Sequence, residues 1–247
     1  MKREIKSILL SLISLKQYLK FVEKRFGKFV LGQNHIDINI FFTLLSKNRK
    51  PVQFIQIGAN DGVKNDPIHF YIKKFHWKGI LVEPLPQLFK KLVENYKEEE
   101  NLIFENVGIS SKSGEMDFYY LPSQYNEPDW LQQIGSFDLD AIKYNLGNYT
   151  VFLDKIETSK VSTVSLSELV ERSGFLKVDL LIVDAEGFEY NILSQIENLK
   201  GKPTYILFEW GCMKEDIQRL LFDFLEKQLY KLYASGGDIM AVYNPKI

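Results

Sequence analysis

Val52-Gln53-Phe54-Ile55-Gln56-Ile57-Gly58-Ala59-Asn60-Asp61-Gly62 is the stretch whose reading decides the fold. A short apolar run stops at a glycine. Small and polar residues follow, then a second glycine, and Pro67 to Phe75 reads as a helix. A buried strand feeding a glycine turn and then a helix is the opening unit of an α/β sheet. Glycine at 58 and 62 lets backbone N–H groups come close to a ligand. The two glycines are not followed by the third that G-x-G-x-x-G requires, which speaks against the alternative of a nicotinamide-dependent oxidoreductase.

Outward from this unit, strand and helix signals keep alternating. Gly79 to Glu83, Leu102 to Val107, Val178 to Asp184 and Thr204 to Glu209 read as buried strands. Pro86 to Lys97, Leu166 to Ser173, Phe188 to Ile196 and Glu215 to Lys227 read as helices, with Pro86 at a first position that needs no N–H. Ser165, with Glu168 three residues on, reads as a helix cap. Tyr230 to Ala234 and Ile239 to Tyr243, joined by Ser235-Gly236-Gly237-Asp238, read as a hairpin. Glu115 to Tyr120 alternates like an extra strand, and residues 121–160 break the pattern. Apolar strands alternating with helices predict a mostly parallel sheet covered on both faces, with a C-terminal antiparallel hairpin.

Such sheets bind ligands beyond the carboxyl ends of their strands, where the strand order reverses. Gly58, Asn60 and Asp61, then Glu83, Asn106, Asp184 with Glu186, and Glu209 all fall there. An acidic residue closing the second strand, as Glu83 does, is placed to accept from both hydroxyls of a ribose. Asp184-Ala185-Glu186-Gly187 puts two carboxylates at the end of a strongly apolar strand, and a carboxylate buried there without a partner is expensive. Glu189 follows closely and either joins this acidic pair or is a solvated helix residue.

With 247 residues, 45% hydrophobic, the chain can bury one large core, and a net charge of -1 gives no global reason to expect nucleic acid. Cys212 is the single cysteine, so an internal disulfide or a cysteine-rich zinc site is excluded; this suits a reducing cytoplasm and an inert thiol. Of His35, His69 and His76, His69 lies nearest the glycine turn, and a packing role is expected of it. Tyr119, Tyr120, Tyr125, Trp130, Phe137 and Tyr144 make the middle insertion aromatic, which suits either a packed lid or a wall for sugar rings.

Residues 1–50 form a separate, basic and helical segment preceding the domain at 51–247. Ile5, Ile8, Leu9, Leu12, Leu15, Leu19, Val22 and Phe26 recur at helical spacing among Lys2, Arg3, Lys6, Lys16, Lys20, Lys24, Arg25 and Lys28. The run from Ile8 to Leu15 is too short to span a bilayer. The helix either packs on its own domain or caps the site, the favoured reading, or it lies through residues 1–28 on an acidic membrane face or a partner complex.

The ordered set resembles the FkbM-type family of S-adenosylmethionine-dependent methyltransferases. The residues that carry the resemblance are Ile57 to Gly62, Val82-Glu83-Pro84, Asn106 to Ser110, Val164 to Leu169 in altered form, Asp184 to Gly187 and Phe208-Glu209. The resemblance implies a Rossmann-like class I methyltransferase sheet, S-adenosylmethionine as cofactor, and a hydroxyl of a sugar or small metabolite as acceptor. It implies that Glu83 holds the ribose, that Gly58, Asn60, Asp61 and Gly62 approach the methionine part, and that Asn106 and Val107 flank the adenine. Asp184 is then the first candidate for the base and Glu186 the second. A divalent cation on this acidic pair is the less favoured alternative, and no metal is expected. The resemblance does not reach residues 1–50 or 121–160.

Overall fold

The computed structural model describes residues 13–26, 35–48, 51–122, 131 and 133–244. The expectations placed on residues 1–12, on Lys28, and on Tyr125 and Trp130 lie outside these. Two helices precede the sheet, α1 (Leu15–Phe26) and α2 (Ile38–Asn48). The apolar run at 52–57 becomes β1 (Gln53–Ile57), followed by α3 (His69–Phe75), β2 (Lys78–Val82), α4 (Pro86–Asn95) and β3 (Leu102–Glu105). The third strand ends two residues before the sequence pattern does.

Next come β4 (Gly108–Ile109), β5 (Gly114–Tyr120), β6 (Gly135–Ser136), α5 (Leu139–Leu146), a 3-10 turn (Thr150–Lys155) and β7 (Glu157–Val164). The chain then returns to the main sheet through α6 (Leu166–Ser173), β8 (Leu180–Val183), α7 (Glu189–Leu193), β9 (Tyr205–Glu209) and α8 (Glu215–Lys227). It closes with the expected hairpin, β10 (Tyr230–Ser235) and β11 (Asp238–Tyr243).

The main sheet has the order β10-β11-β9-β8-β1-β2-β3. β3, β2, β1, β8 and β9 are parallel, and β11 runs antiparallel to both β9 and β10. This is the mostly parallel sheet with an antiparallel hairpin that the resemblance implies. The continuous apolar runs of β1 and β8 send alternate residues to opposite faces, as a sheet buried on both sides requires. Phe54, Leu180, Ile182 and Leu207 join the core beneath α1 to α4. Ile55, Ile57, Leu181, Val183 and Phe208 join the core beneath α6, α7 and α8.

α1 packs on the domain: Leu15 and Val22 are buried in the first of these cores. It does not cap the cleft described below. No helix among the described residues is long and apolar enough to cross a membrane.

The insertion contributes β6 and the start of β7 to a second sheet, β4-β7-β5-β6, which it completes with strands that precede it. β7 is absent from the sequence reading because Glu157, Thr158, Ser159 and Lys160 carry no apolar signal. The strand exists because it pairs along its whole length with β5. α5 begins at Asp138, whose Oδ1 accepts from the N–H groups of Asp140 (2.8 Å) and Ala141 (3.3 Å). α6 is capped as expected, with the Glu168 N–H donating to Ser165 Oγ at 3.1 Å. α7 is shorter than its apolar pattern, since the chain tightens into a 3-10 turn at Ser194–Asn198.

Candidate active site

β1 leads to β2 and β3 on one side, whereas β8 lies on the other side of β1. The strand order therefore reverses between β1 and β8, and a crevice opens above their carboxyl ends. Gly58 turns the chain there with φ +80°. A Cβ at this position would sit 1.8 Å from the Asp184 carbonyl oxygen, so only glycine lets β1 and β8 end so close together. The Gly58 and Ala59 N–H groups donate to the Val82 carbonyl at 3.0 and 2.9 Å, tying the turn to β2.

Asn60 follows with φ +51°, a left-handed conformation that asparagine tolerates. This aims its N–H at Glu83 Oε2, 2.9 Å away. The other carboxylate oxygen, Oε1, accepts from the Leu85 N–H at 2.9 Å. Glu83 is 4% exposed. Burial raises its pKa to about 7, against the two backbone donors, which pull it down.

The remaining residues expected here divide into two groups. Val107 lines the crevice with Gly58, Asn60 and Glu83. Asp61, Gly62 and Asn106 are not among the lining residues. Asp61 Oδ1 accepts from the Val63 and Lys64 N–H groups, both at 2.9 Å, and so shapes the turn. A Cβ at Gly62 would meet the Tyr96 ring at 2.4 Å, and the Tyr96 hydroxyl donates to the Gly62 carbonyl at 2.7 Å. Asn106 Nδ2 donates to the Glu83 and Pro84 carbonyls at 2.8 and 3.0 Å, bracing the loop that carries Glu83. His69 has a packing role, its Nδ1 lying 2.9 Å from the Gly62 carbonyl oxygen and 3.0 Å from the Tyr96 hydroxyl.

Beyond β8 the crevice turns acidic. Strand register carries Gly58, Asp184, Glu209 and Asp238 into one row across β1, β8, β9 and β11. Asp184 is open to the crevice, and among the described residues no group donates to its carboxylate. Its pKa is raised well above the carboxylate range, first by desolvation between the walls, then by Glu186, Glu209, Glu189 and Asp238. Water in the crevice reaches Asp184, so the crowding of like charges is the firmer of the two causes.

Glu186 stands in a left-handed bend at φ +50° and is held by Asn145 Nδ2 at 3.1 Å and Cys212 Sγ at 3.3 Å. Burial and Glu209 raise its pKa to about 7. The Cys212 thiol also lies 3.0 Å from Glu209 Oε2, and burial with these two acids pushes its pKa up, so it is no nucleophile. Ligand atoms of Glu186, Glu209 and Cys212 lie within 4.8 Å of one another, close enough to share one cation.

Glu189 is fully buried, which rules out the solvated helix position and leaves it with the acidic pair. Its carboxylate accepts from the Ala185 N–H at 2.9 Å and the Gly187 N–H at 3.0 Å, folding the bend that presents Asp184 and Glu186. Replacing Glu189 by alanine should strand both donors and open a cavity. The expected loss is about 3–5 kcal/mol, read as a fall in Tm of roughly 10 °C. The pH dependence carries a second signature. Burial raises this carboxyl's pKa from 4.5 to about 8. The group therefore withdraws stability as pH rises through that window, and the variant should lose that part of the slope. An unchanged Tm at both ends of the window would contradict the role given to Glu189.

Sequence reasoning left Asp238, Gln56, Asp66 and Asn145 out of the site, and all four line the crevice. Asp238 could have been found by carrying the hairpin register across to Glu209. Asn145 had no signal, because only the folded insertion brings α5 to Glu186. Of the insertion's aromatic residues, Phe137 and Tyr144 line the crevice, while Tyr119 packs into a small core with Leu121 and Ile142. The whole crevice encloses about 680 Å³, within the range of cofactor and small-molecule pockets.

The family model described as the methyltransferase FkbM domain matches residues 56–232, from the last turn of β1 into β10. The chain belongs to the FkbM methyltransferase family. The matched region is a methyltransferase domain, and membership implies S-adenosylmethionine as its methyl donor.

Among solved structures, the FkbM methyltransferase of Methylobacillus flagellatus KT is similar over 78% of this chain and 44% of that one, at 10% identity and a TM-score of 0.46. This chain thus spans less than half of that protein's length. A SAM-dependent O-methyltransferase of Thermotoga maritima is similar over 96% of this chain and 73% of that one, at 11% identity and a TM-score of 0.46. The Methanococcus jannaschii fibrillarin pre-rRNA processing protein is similar over 80% and 69%, at 12% identity and a TM-score of 0.44. Among curated proteins, none matches this FkbM methyltransferase.

Proposed function

We propose that this FkbM methyltransferase moves the methyl group of S-adenosylmethionine to a hydroxyl oxygen of a sugar or another small metabolite, in a reducing cytoplasm. The observation that carries the reading is the Glu83 carboxylate, fixed against the Gly58–Asn60 turn at the edge of the crevice. Each Glu83 oxygen accepts one backbone N–H and keeps a second lone pair. That is the acceptor set two vicinal ribose hydroxyls need. The residues present fit the cofactor: Glu83 for the ribose, Gly58 to Asn60 for the methionine part, Val107 for one face of the adenine. When bound, the cofactor supplies a methyl carbon already activated by a sulfonium. Asp61, Gly62 and Asn106 serve this reading indirectly, by shaping the two loops.

The chain's remaining task is to align the acceptor and take its proton. Alignment supplies about 7–11 kcal/mol of barrier reduction in favourable cases. Phe137 and Tyr144 offer aromatic faces of the kind sugar rings pack against. Asp184 would take the hydroxyl proton as the acceptor oxygen receives the methyl group. A raised pKa makes Asp184 a stronger base than an ordinary carboxylate. The free Cys212 thiol suits a reducing compartment.

Calorimetry with S-adenosylhomocysteine tests the cofactor half. Glu83→Gln should weaken binding roughly 10- to 100-fold, the range for a hydrogen bond to a charged acceptor. Wild-type affinity should rise about tenfold from pH 6 to pH 8, because Glu83, with its pKa raised to about 7, must ionise to accept every donor around it. That rise should disappear in the variant. Undiminished binding to Glu83→Gln would remove the basis of the reading.

A further inference from the structure

The sequence left two uses open for the basic N-terminal helix, and α1 turns out to have two faces that answer separately. Its inner face is committed to the fold. Leu15 and Val22 are buried, and the Tyr18 hydroxyl accepts from the Asp37 N–H at 2.8 Å. Glu23, the helix's one acid, also turns inward. It accepts from the Tyr233 hydroxyl at 2.6 Å and pairs with Lys231 at 3.1 Å. Glu23 is the single acid of α1 and borders Lys20, so the outer face carries an excess of cations.

Lys16, Lys20 and Lys24 follow one another at i, i+4 along this face, with Arg25 exposed beside them. None of the three lysines makes an ion pair among the described residues. Phe21, 60% exposed, stands beside this row toward Arg25. The charge is local and not a property of the whole chain, whose net charge is -1.

We propose that the outer face of α1 docks the protein on a membrane surface rich in anionic phospholipid. Phosphate headgroups complement the lysine row, and the acyl boundary just below them takes an exposed aromatic ring. An acidic protein partner would satisfy the lysines but would need a pocket of its own for Phe21. A lipid surface meets both needs at once. The helix also lies beside the hairpin that reaches the active crevice. Val22 and Arg25 share a groove with the hairpin turn Ser235–Gly236, and the same turn carries Asp238 into the crevice.

The docking does not depend on the methyl-transfer reading, and its binding readout uses no cofactor. The full chain is sedimented with vesicles of phosphatidylcholine alone and of phosphatidylcholine with about 30% phosphatidylglycerol. Binding to the anionic vesicles should be at least about tenfold tighter and should fall steeply with added salt. The triple variant K16E/K20E/K24E should lose more than about tenfold of it, and Phe21→Ser should lose several-fold. Both variants should keep the wild-type Tm and the wild-type affinity for S-adenosylhomocysteine. Equal binding to both vesicle types, no binding to either, or full binding by the triple variant would each overturn the proposal. Failure on vesicles with retention on a poly-glutamate support would assign the face to an acidic protein instead.

Discussion

Gly58→Ala is expected to destabilise the protein by more than about 4 kcal/mol and to abolish binding of S-adenosylhomocysteine. Two effects combine. The backbone at Gly58 has φ +80°, where an added Cβ costs roughly 1–2 kcal/mol by itself. The larger effect is the collision: the new methyl would lie 1.8 Å from the Asp184 carbonyl oxygen, a backbone atom that cannot swing aside. Relief requires β1 and β8 to part at their carboxyl ends. That breaks the Asp184 N–H bond to the Ile57 carbonyl, 3.0 Å long, and shifts the turn that faces Glu83. Gly174→Ala is the control, since Gly174 has φ +64° and a Cβ there would have nothing within 4 Å. It should cost only the backbone part, about 1–2 kcal/mol. Denaturant unfolding of the two variants separates strain from collision. Equal losses would mean that the approach of β1 to β8 is not what requires glycine at 58.

What the sequence could say about this protein follows from how each feature is encoded. Continuous apolar runs such as Leu180 to Val183 declare a strand buried on both faces, because no other short element is apolar all round and flanked by turns. The hairpin declares itself through Gly236 and Gly237. β7 does not, since its first half is polar and is held only by its pairing with β5. Local patterning cannot show a strand stabilised by a partner some forty residues away. The site has the same division. Gly58 and Glu83 are legible because they sit at strand ends, where topology alone determines what they face.

Asp61, Gly62 and Asn106 belong to the same motifs, yet their contacts run into the protein. A motif records which residues occur together, not which of them turn toward the crevice. Glu189 is the sharpest case. Nothing in Phe188-Glu189-Tyr190 distinguishes a solvated helix start from a buried carboxylate accepting two N–H groups. Only the closing of the Asp184–Gly187 bend on itself decides it.

The crevice holds two candidate bases, and their surroundings separate them. Glu186 is anchored by Asn145 and Cys212, which both donate to Oε2, so one of its oxygens already has donors. Asp184 has none among the described residues, and it shares a row with Glu209 and Asp238. A carboxylate without donors and beside like charges gains most from taking up a proton. Asp184→Asn should therefore lower kcat by about 10²- to 10⁴-fold, the usual worth of a general base, while affinity for S-adenosylhomocysteine stays within about threefold. Glu186→Gln should cost about tenfold or less, because the amide can keep one of the two anchoring contacts.

The pH dependence runs in a definite direction. A base must start ionised, so wild-type kcat/KM should fall as pH drops through the raised pKa of Asp184. The residual activity of Asp184→Asn should lack that acid limb. Both variants are measured against an acceptor found by screening hydroxyl-bearing sugars with the wild-type protein. If Asp184→Asn kept the acid limb and Glu186→Gln lost it, the proton would go to Glu186, and the anchoring by Asn145 would be what orients the base.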